Sequence, residues 1–105
     1  MSQWVPACKA SDVPEEGAKA VNIGGEPICI ARSNGTYYAI RDVCSHADVA
    51  LSEGEVEDGT VECWLHGSRF DLTTGRPTGL PATQPVPVYP VKHDGDQILV
   101  ALEES

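Results

Sequence analysis

An all-β domain, a small sandwich or barrel carrying an inserted subdomain, is the fold class this sequence predicts. Three observations predict it. Short runs rich in β-branched and aromatic residues recur along the chain. X-Gly pairs that readily take positive φ separate several of them. From about residue 41 to residue 80 that rhythm weakens, and cysteine and histidine appear there in two close pairs. With 105 residues the chain suffices for one domain with one real core and leaves no room for a second, catalytic one.

The elements follow in order. Trp4-Val5 reads as an edge strand, with Cys8 just beyond it. Residues 11–17 hold a capping serine, an early proline and a closing glycine, the pattern of one short helical turn. Residues 20–23 and 27–31 read as strands, and in the second Cys29 takes the place of a small buried hydrophobe. Asn34-Gly35 turns the chain into the clear strand 36–40, and Asp58-Gly59 turns it into 59–63. Residues 77–90 contain five prolines, a stiff extended stretch with few N–H donors that either links back to the last strands or covers one side of the inserted subdomain. Residues 88–91 form a strand at an edge or bulge because of Pro90. Asp94-Gly95 then turns into the last strand, 97–101. The whole is expected to be a single domain, 1–105, with its inserted subdomain at about 41–80.

The chemistry sits in that insertion. Cys44-Ser45-His46 is followed after sixteen residues by Cys63-Trp64-Leu65-His66-Gly67. Each half supplies one soft thiolate and one imidazole, which is what a [2Fe–2S] cluster needs when one iron takes two sulfurs and the other two nitrogens. A structural zinc site also uses two Cys and two His. Zinc modules usually present a Cys pair and then a His pair, or four Cys, so the alternating order favours the cluster. The Asp58-Gly59 hairpin between the halves would set the two loops side by side. His93, beside a turn with no cysteine at ligand spacing, reads as solvated surface. Cys8 and Cys29 receive no role.

Seven basic against sixteen acidic side chains give a net charge of −9. That argues against nucleic acid or an anionic membrane surface and favours a partner with a basic face. No stretch approaches a transmembrane span, and Met1-Ser2-Gln3-Trp4 lacks the basic and apolar regions of a signal peptide, so a soluble cytoplasmic protein is expected. The only paired glycines, Gly24-Gly25, lack the spacing of a dinucleotide fingerprint. Electrons would therefore have to come from a separate reductase. The acidic run Glu53, Glu55, Glu57, Asp58 and Glu62 is either a docking patch or a solvated hairpin.

At the half-sites the chain resembles the Rieske-type ferredoxins, the small electron carriers of multicomponent ring-hydroxylating dioxygenases. The most specific stretch is Cys44-Ser45-His46 with residues 63–71 and Thr74-Gly75. The resemblance implies a β base with an inserted cluster-binding subdomain, and one [2Fe–2S] cluster held by Cys44 and Cys63 on the inner iron and by His46 and His66 on the outer. It implies a non-enzymatic carrier, expected to be monomeric, that takes single electrons from a flavin-dependent NAD(P)H reductase and gives them to a terminal non-haem iron oxygenase. Gly79-Leu80-Pro81 resembles the family's proline-bearing shielding loop. The high-potential Rieske proteins of respiratory complexes bridge the two loops by a disulfide, whereas Val49 and Leu65 stand at those positions here. Ser68 keeps the family's serine donor, and Phe70 replaces its tyrosine. The net charge of −9, Phe70 and the missing disulfide outweigh the Ser68 donor and place the potential low in the Rieske window of about −150 to +300 mV, nearer −150 than +100 mV. The alternatives are a Rieske protein that accompanies iron–sulfur assembly, a ligand-free relative such as the small subunit of assimilatory nitrite reductase, and a zinc-stabilised interaction module.

Overall fold

β3, Glu26–Ser33, is buried on both of its faces, and this organises the fold. The computed structural model describes residues 4–44, 49–64, 67–78 and 84–101. Along β3 the side chains alternate between two cores: Ile28 and Ile30 join one, and Cys29 and Ala31 the other. A strand covered on both faces reads as an unbroken apolar run, as residues 28–31 do.

β3 lies inside an antiparallel sheet of order β2-β3-β4-β8, with β2 at Gly17–Ile23, β4 at Thr36–Arg41 and β8 at Val88–Tyr89. On one face packs a sheet of order β1-β10-β9, made from Trp4–Lys9, Gln97–Ala101 and Val91–Asp94. Ile28, Ile30, Ala39, Ile98 and Val100 close the core between them. The fully buried ones, Ile28, Ile30, Ile98 and Val100, stabilise the fold by about 1.5–3 kcal/mol each. On the other face lies a small sheet of order β5-β6-β7, from Val56–Glu57, Thr60–Glu62 and Arg69–Asp71. Its Val56, Val61 and Phe70 meet Cys29, Ala31 and Ile40 of the central sheet.

The all-β expectation is met as stacked open sheets, not as a closed barrel. Asn34-Gly35 and Asp58-Gly59 form two-residue turns with positive φ at both positions, the requirement of a type I′ hairpin. Gly24-Gly25 does the same between β2 and β3, a hairpin that its glycine pair could have announced. Other expectations need correction. The turn before β10 consists of Gly95 and Asp96, one residue later than Asp94-Gly95, because Asp94 already pairs with Gln97. The short helical turn is a 3₁₀ turn at Ala10–Asp12, ahead of Pro14, and Gly17 opens β2 instead of closing a helix. Cys8 lies within β1, beyond a register shift that follows Pro6. Pro90 divides the strand expected at 88–91 into β8 and β9. β5 and β7 are too short for a sequence pattern to reveal.

One polar chain ties the small sheet to the central one. The Gly59 N–H donates to Ser33 Oγ at 2.8 Å, and that hydroxyl donates to Glu16 Oε2 at 2.9 Å. The Asn34 and Asp58 amides donate to the same carboxylate. These donors, the Asn34 amide first, hold the Glu16 carboxyl below its usual pKa. Glu16 itself sits at φ +47°, a left-handed conformation that a non-glycine residue rarely adopts without compensation.

A carboxyl whose pKa is lowered by folding stabilises the fold fully above its ordinary value of about 4.3, and that contribution is lost as pH falls through the lowered value. Glu16→Gln should therefore lower the melting temperature near neutral pH, with the gap to wild type closing in acid. Thermal melts of both proteins from pH 7 to 3 check this, and a gap that does not depend on pH contradicts it.

Candidate metal centre

The central sheet delivers the chain to the site at Arg41 and Asp42. The Arg41 N–H donates to the Pro87 carbonyl at 3.0 Å and the Asp42 N–H to the Pro27 carbonyl at 3.0 Å, so the strand remains anchored on both sides up to that point. Cys44 follows two residues later. Its N–H donates to the carbonyl of Val49, five residues on, at 2.9 Å. The second half-site repeats the device: the Cys63 N–H donates to the carbonyl of Ser68, again five residues on, at 2.6 Å. The Gly67 N–H returns to the Cys63 carbonyl at 2.8 Å, and Gly67 takes φ +77°, which its lack of a Cβ permits.

Both cysteines thus stand at the base of a backbone-closed loop, next to the small sheet. Cys44 is 4 % exposed and Cys63 fully buried, and both belong to the apolar cluster of Leu51, Val56, Val61, Phe70 and Leu72. Neither is in a disulfide. His46, His66 and Pro81 of the expected site lie outside the described residues. Among the described residues no three His, Cys, Asp or Glu side chains converge on one point as metal ligands. Two buried thiols brought into one apolar cluster, with no disulfide between them, fit the sulfur half of the donor set a [2Fe–2S] cluster requires.

Ser68 is 1 % exposed and Phe70 fully buried, so both expected neighbours of the sulfurs lie in the interior beside the cysteines. Phe70 pairs with Val61 across β6 and β7 and bridges to Pro77. Trp64, the residue after the second cysteine, is 50 % exposed, an aromatic ring in solvent at the edge of the site. Cys29 is fully buried in the same cluster, and burial, followed by the charge of Asp42, pushes its thiol pKa strongly up.

The acidic run divides. Glu57 and Asp58 stand at the hairpin tip, at the opposite end of β6 from Cys63, and the tip is engaged by Ser33 and Glu16. Glu55 lies at the other end, its carbonyl accepting the Glu62 N–H at 2.8 Å next to Cys63. Arg69 offsets part of the charge, 3.6 Å from Glu57 and 3.7 Å from Glu62. These are partly exposed pairs, each contributing about 0–1 kcal/mol.

Sequence reasoning passed over Gly54, where the backbone entering β5 runs close against the residue before Cys63. A Cβ at Gly54 would lie 1.6 Å from the Glu62 carbonyl oxygen, a backbone atom that cannot swing aside. Gly75 is similar: at φ +76° a Cβ would come within 2.1 Å of the Val86 carbonyl oxygen. Overpacking of this kind costs about 1–3 kcal/mol. Gly54→Ala should therefore lower the unfolding free energy by about 1–3 kcal/mol, read as a lower urea midpoint with little change in m. An unchanged midpoint would show that the two segments are not in close contact.

Comparison with known proteins agrees with this geometry. The model of the family described as Rieske [2Fe-2S] domain matches residues 3–90. The chain is 43% identical over 96 residues to the ferredoxin component of biphenyl 2,3-dioxygenase from Rhodococcus jostii (strain RHA1), covering 91% of this chain and 90% of that one. It is 45% identical over 101 residues to the 3-phenylpropionate/cinnamic acid dioxygenase ferredoxin subunit of Escherichia coli (strain K12), covering 94% and 93%. Among solved structures, it superposes with a TM-score of 0.90 and 33% identity on a chain from the complex of reduced oxygenase and oxidized ferredoxin in carbazole 1,9a-dioxygenase, covering 100% of this chain and 98% of that one.

Proposed function

The chain belongs to the Rieske [2Fe–2S] family, and we propose that Cys44, His46, Cys63 and His66 hold its cluster. It is a ferredoxin, an electron-transfer protein of the aromatic-dioxygenase type that serves a terminal oxygenase and carries out no oxygenation itself. It carries one Rieske-type [2Fe–2S] cluster. When bound, that group supplies one-electron exchange.

The observation that supports the ligand assignment is the matched pair of loops, each closed on a buried cysteine amide. Cys44 and Cys63 would supply the inner sulfurs and His46 and His66 the outer nitrogens, with Ser68, Phe70 and Pro81 around them. Residues 41–80 form the cluster subdomain in this reading, within one domain of 1–105. A flavin-dependent NAD(P)H reductase is the proposed source of electrons. Trp64, exposed beside Cys63, offers an apolar contact to either partner. The net charge of −9 disfavours self-association and suits a monomer that meets basic partners. No described helix is long and apolar enough to cross a membrane. The cytoplasm is the proposed compartment, and it would keep Cys8 and Cys29 reduced.

The purified protein should be red-brown and contain two irons and two acid-labile sulfides per chain. Cys44→Ser or Cys63→Ser should abolish both the colour and the iron. Zinc at one per chain, without visible absorption, would overturn the assignment.

Reduction by the reductase should slow as salt rises, because screening confines exposed charges to roughly 10 Å at 0.1 M ionic strength. The divided acidic run sharpens the test. Glu55→Gln should slow transfer more than Asp58→Asn, which removes the same charge at the far end of the hairpin. Equal rates for the two variants in stopped-flow reduction would locate the docking face elsewhere.

A further inference from the structure

Asp42 is a carboxylate 5 % exposed, two residues before Cys44. Its Oδ1 accepts the Ser52 N–H at 2.6 Å and its Oδ2 accepts the Ser52 hydroxyl at 2.6 Å. The clasp joins the two ends of the segment that contains the first cysteine loop, outside the bond from Cys44 to Val49. Both donors are neutral. The described ion pairs engage Glu15, Glu57 and Glu62, and none engages Asp42. A buried charge held only by neutral donors carries a desolvation cost of several kcal/mol. The clasp does not itself require that charge: an asparagine could accept the same N–H with its carbonyl and donate to the hydroxyl with its amide. What the carboxylate adds is a fixed negative charge, with its Cα no more than about 7 Å along the chain from that of Cys44.

We propose that Asp42, held by its clasp to Ser52, is a buried charge that sets the reduction potential of the site by opposing the extra negative charge of the reduced state. This rests on the proposed function. The field of Asp42 reaches the shared interior, since it raises the Cys29 thiol in the apolar cluster that also holds Cys44 and Cys63. At an effective dielectric near 20, a unit charge about 10 Å away changes an equilibrium roughly tenfold.

The test is a redox titration of wild type, Asp42→Asn and Ser52→Ala, each first assayed for iron and visible spectrum. At a fixed electrode potential Asp42→Asn should raise the reduced-to-oxidised ratio about tenfold, which is 59 mV for one electron. Ser52→Ala should shift the midpoint the other way, because the charge stays while one donor that damps it is lost. A purely structural clasp would move both variants in the same direction, or neither, and either result overturns the proposal. If Asp42→Asn fails to retain iron, Ser52→Ala decides alone: a lowered midpoint supports the proposal, and an unchanged or raised one overturns it. A wild-type chain without iron overturns the proposed function and this inference with it. Normal wild-type titration with unmoved variants overturns this inference alone.

Discussion

The whole molecule depends on β3 burying both faces at once. A strand with Ile28 and Ile30 on one side and Cys29 and Ala31 on the other can hold two cores together, but only if each face receives a partner sheet. The β1-β10-β9 sheet supplies one partner. The other is the small β5-β6-β7 sheet, which on its own would be too short to persist in water. Cys44 and Cys63 inherit their positions from this arrangement. They are fixed where a small sheet that cannot stand alone is pressed against a strand that cannot be left uncovered.

Polar groups add direction to that apolar contact. Burial brings the two sheets together without fixing how they slide, because hydrophobic contact is non-directional. The chain of donors from Gly59 through Ser33 to Glu16 joins three turns from different parts of the sequence at one point. At the other end of the small sheet Gly54 lets the backbone entering β5 run close against the Glu62 carbonyl, which tightens that hairpin. One end of the small sheet is thus hydrogen-bonded to the central sheet, and the other is drawn tight within its own hairpin.

Much of this was legible in the sequence. The Asn34-Gly35 and Asp58-Gly59 turns, the long strands and the continuous run at 28–31 follow from local chemistry, because positive φ and two-sided burial both select residue types strongly. Cys44 and Cys63, which the fold buries in one cluster, stood out because soft ligands at short spacing have few other uses. What stayed hidden was decided between distant residues. β5 and β7 form only because β6 lies between them, and two or three residues carry too little pattern to show it. Asp42 and Ser52 resemble any polar loop residues until the fold brings them together. The 3₁₀ turn at Ala10–Asp12 preceded the expected site because β2 claims Gly17 for its pairing with Arg32, and tertiary pairing outweighs a weak local helix signal.

Main-chain atoms position both cysteines. At each, the cysteine amide donates to a carbonyl five residues on, and at the second a glycine amide returns to the cysteine carbonyl. Trp64 is half exposed and yet adjacent to a fully buried cysteine. An electron carrier benefits from that separation. The sulfur positions are fixed from within by backbone and core, so the exposed surface beside them is free to be shaped for its partners.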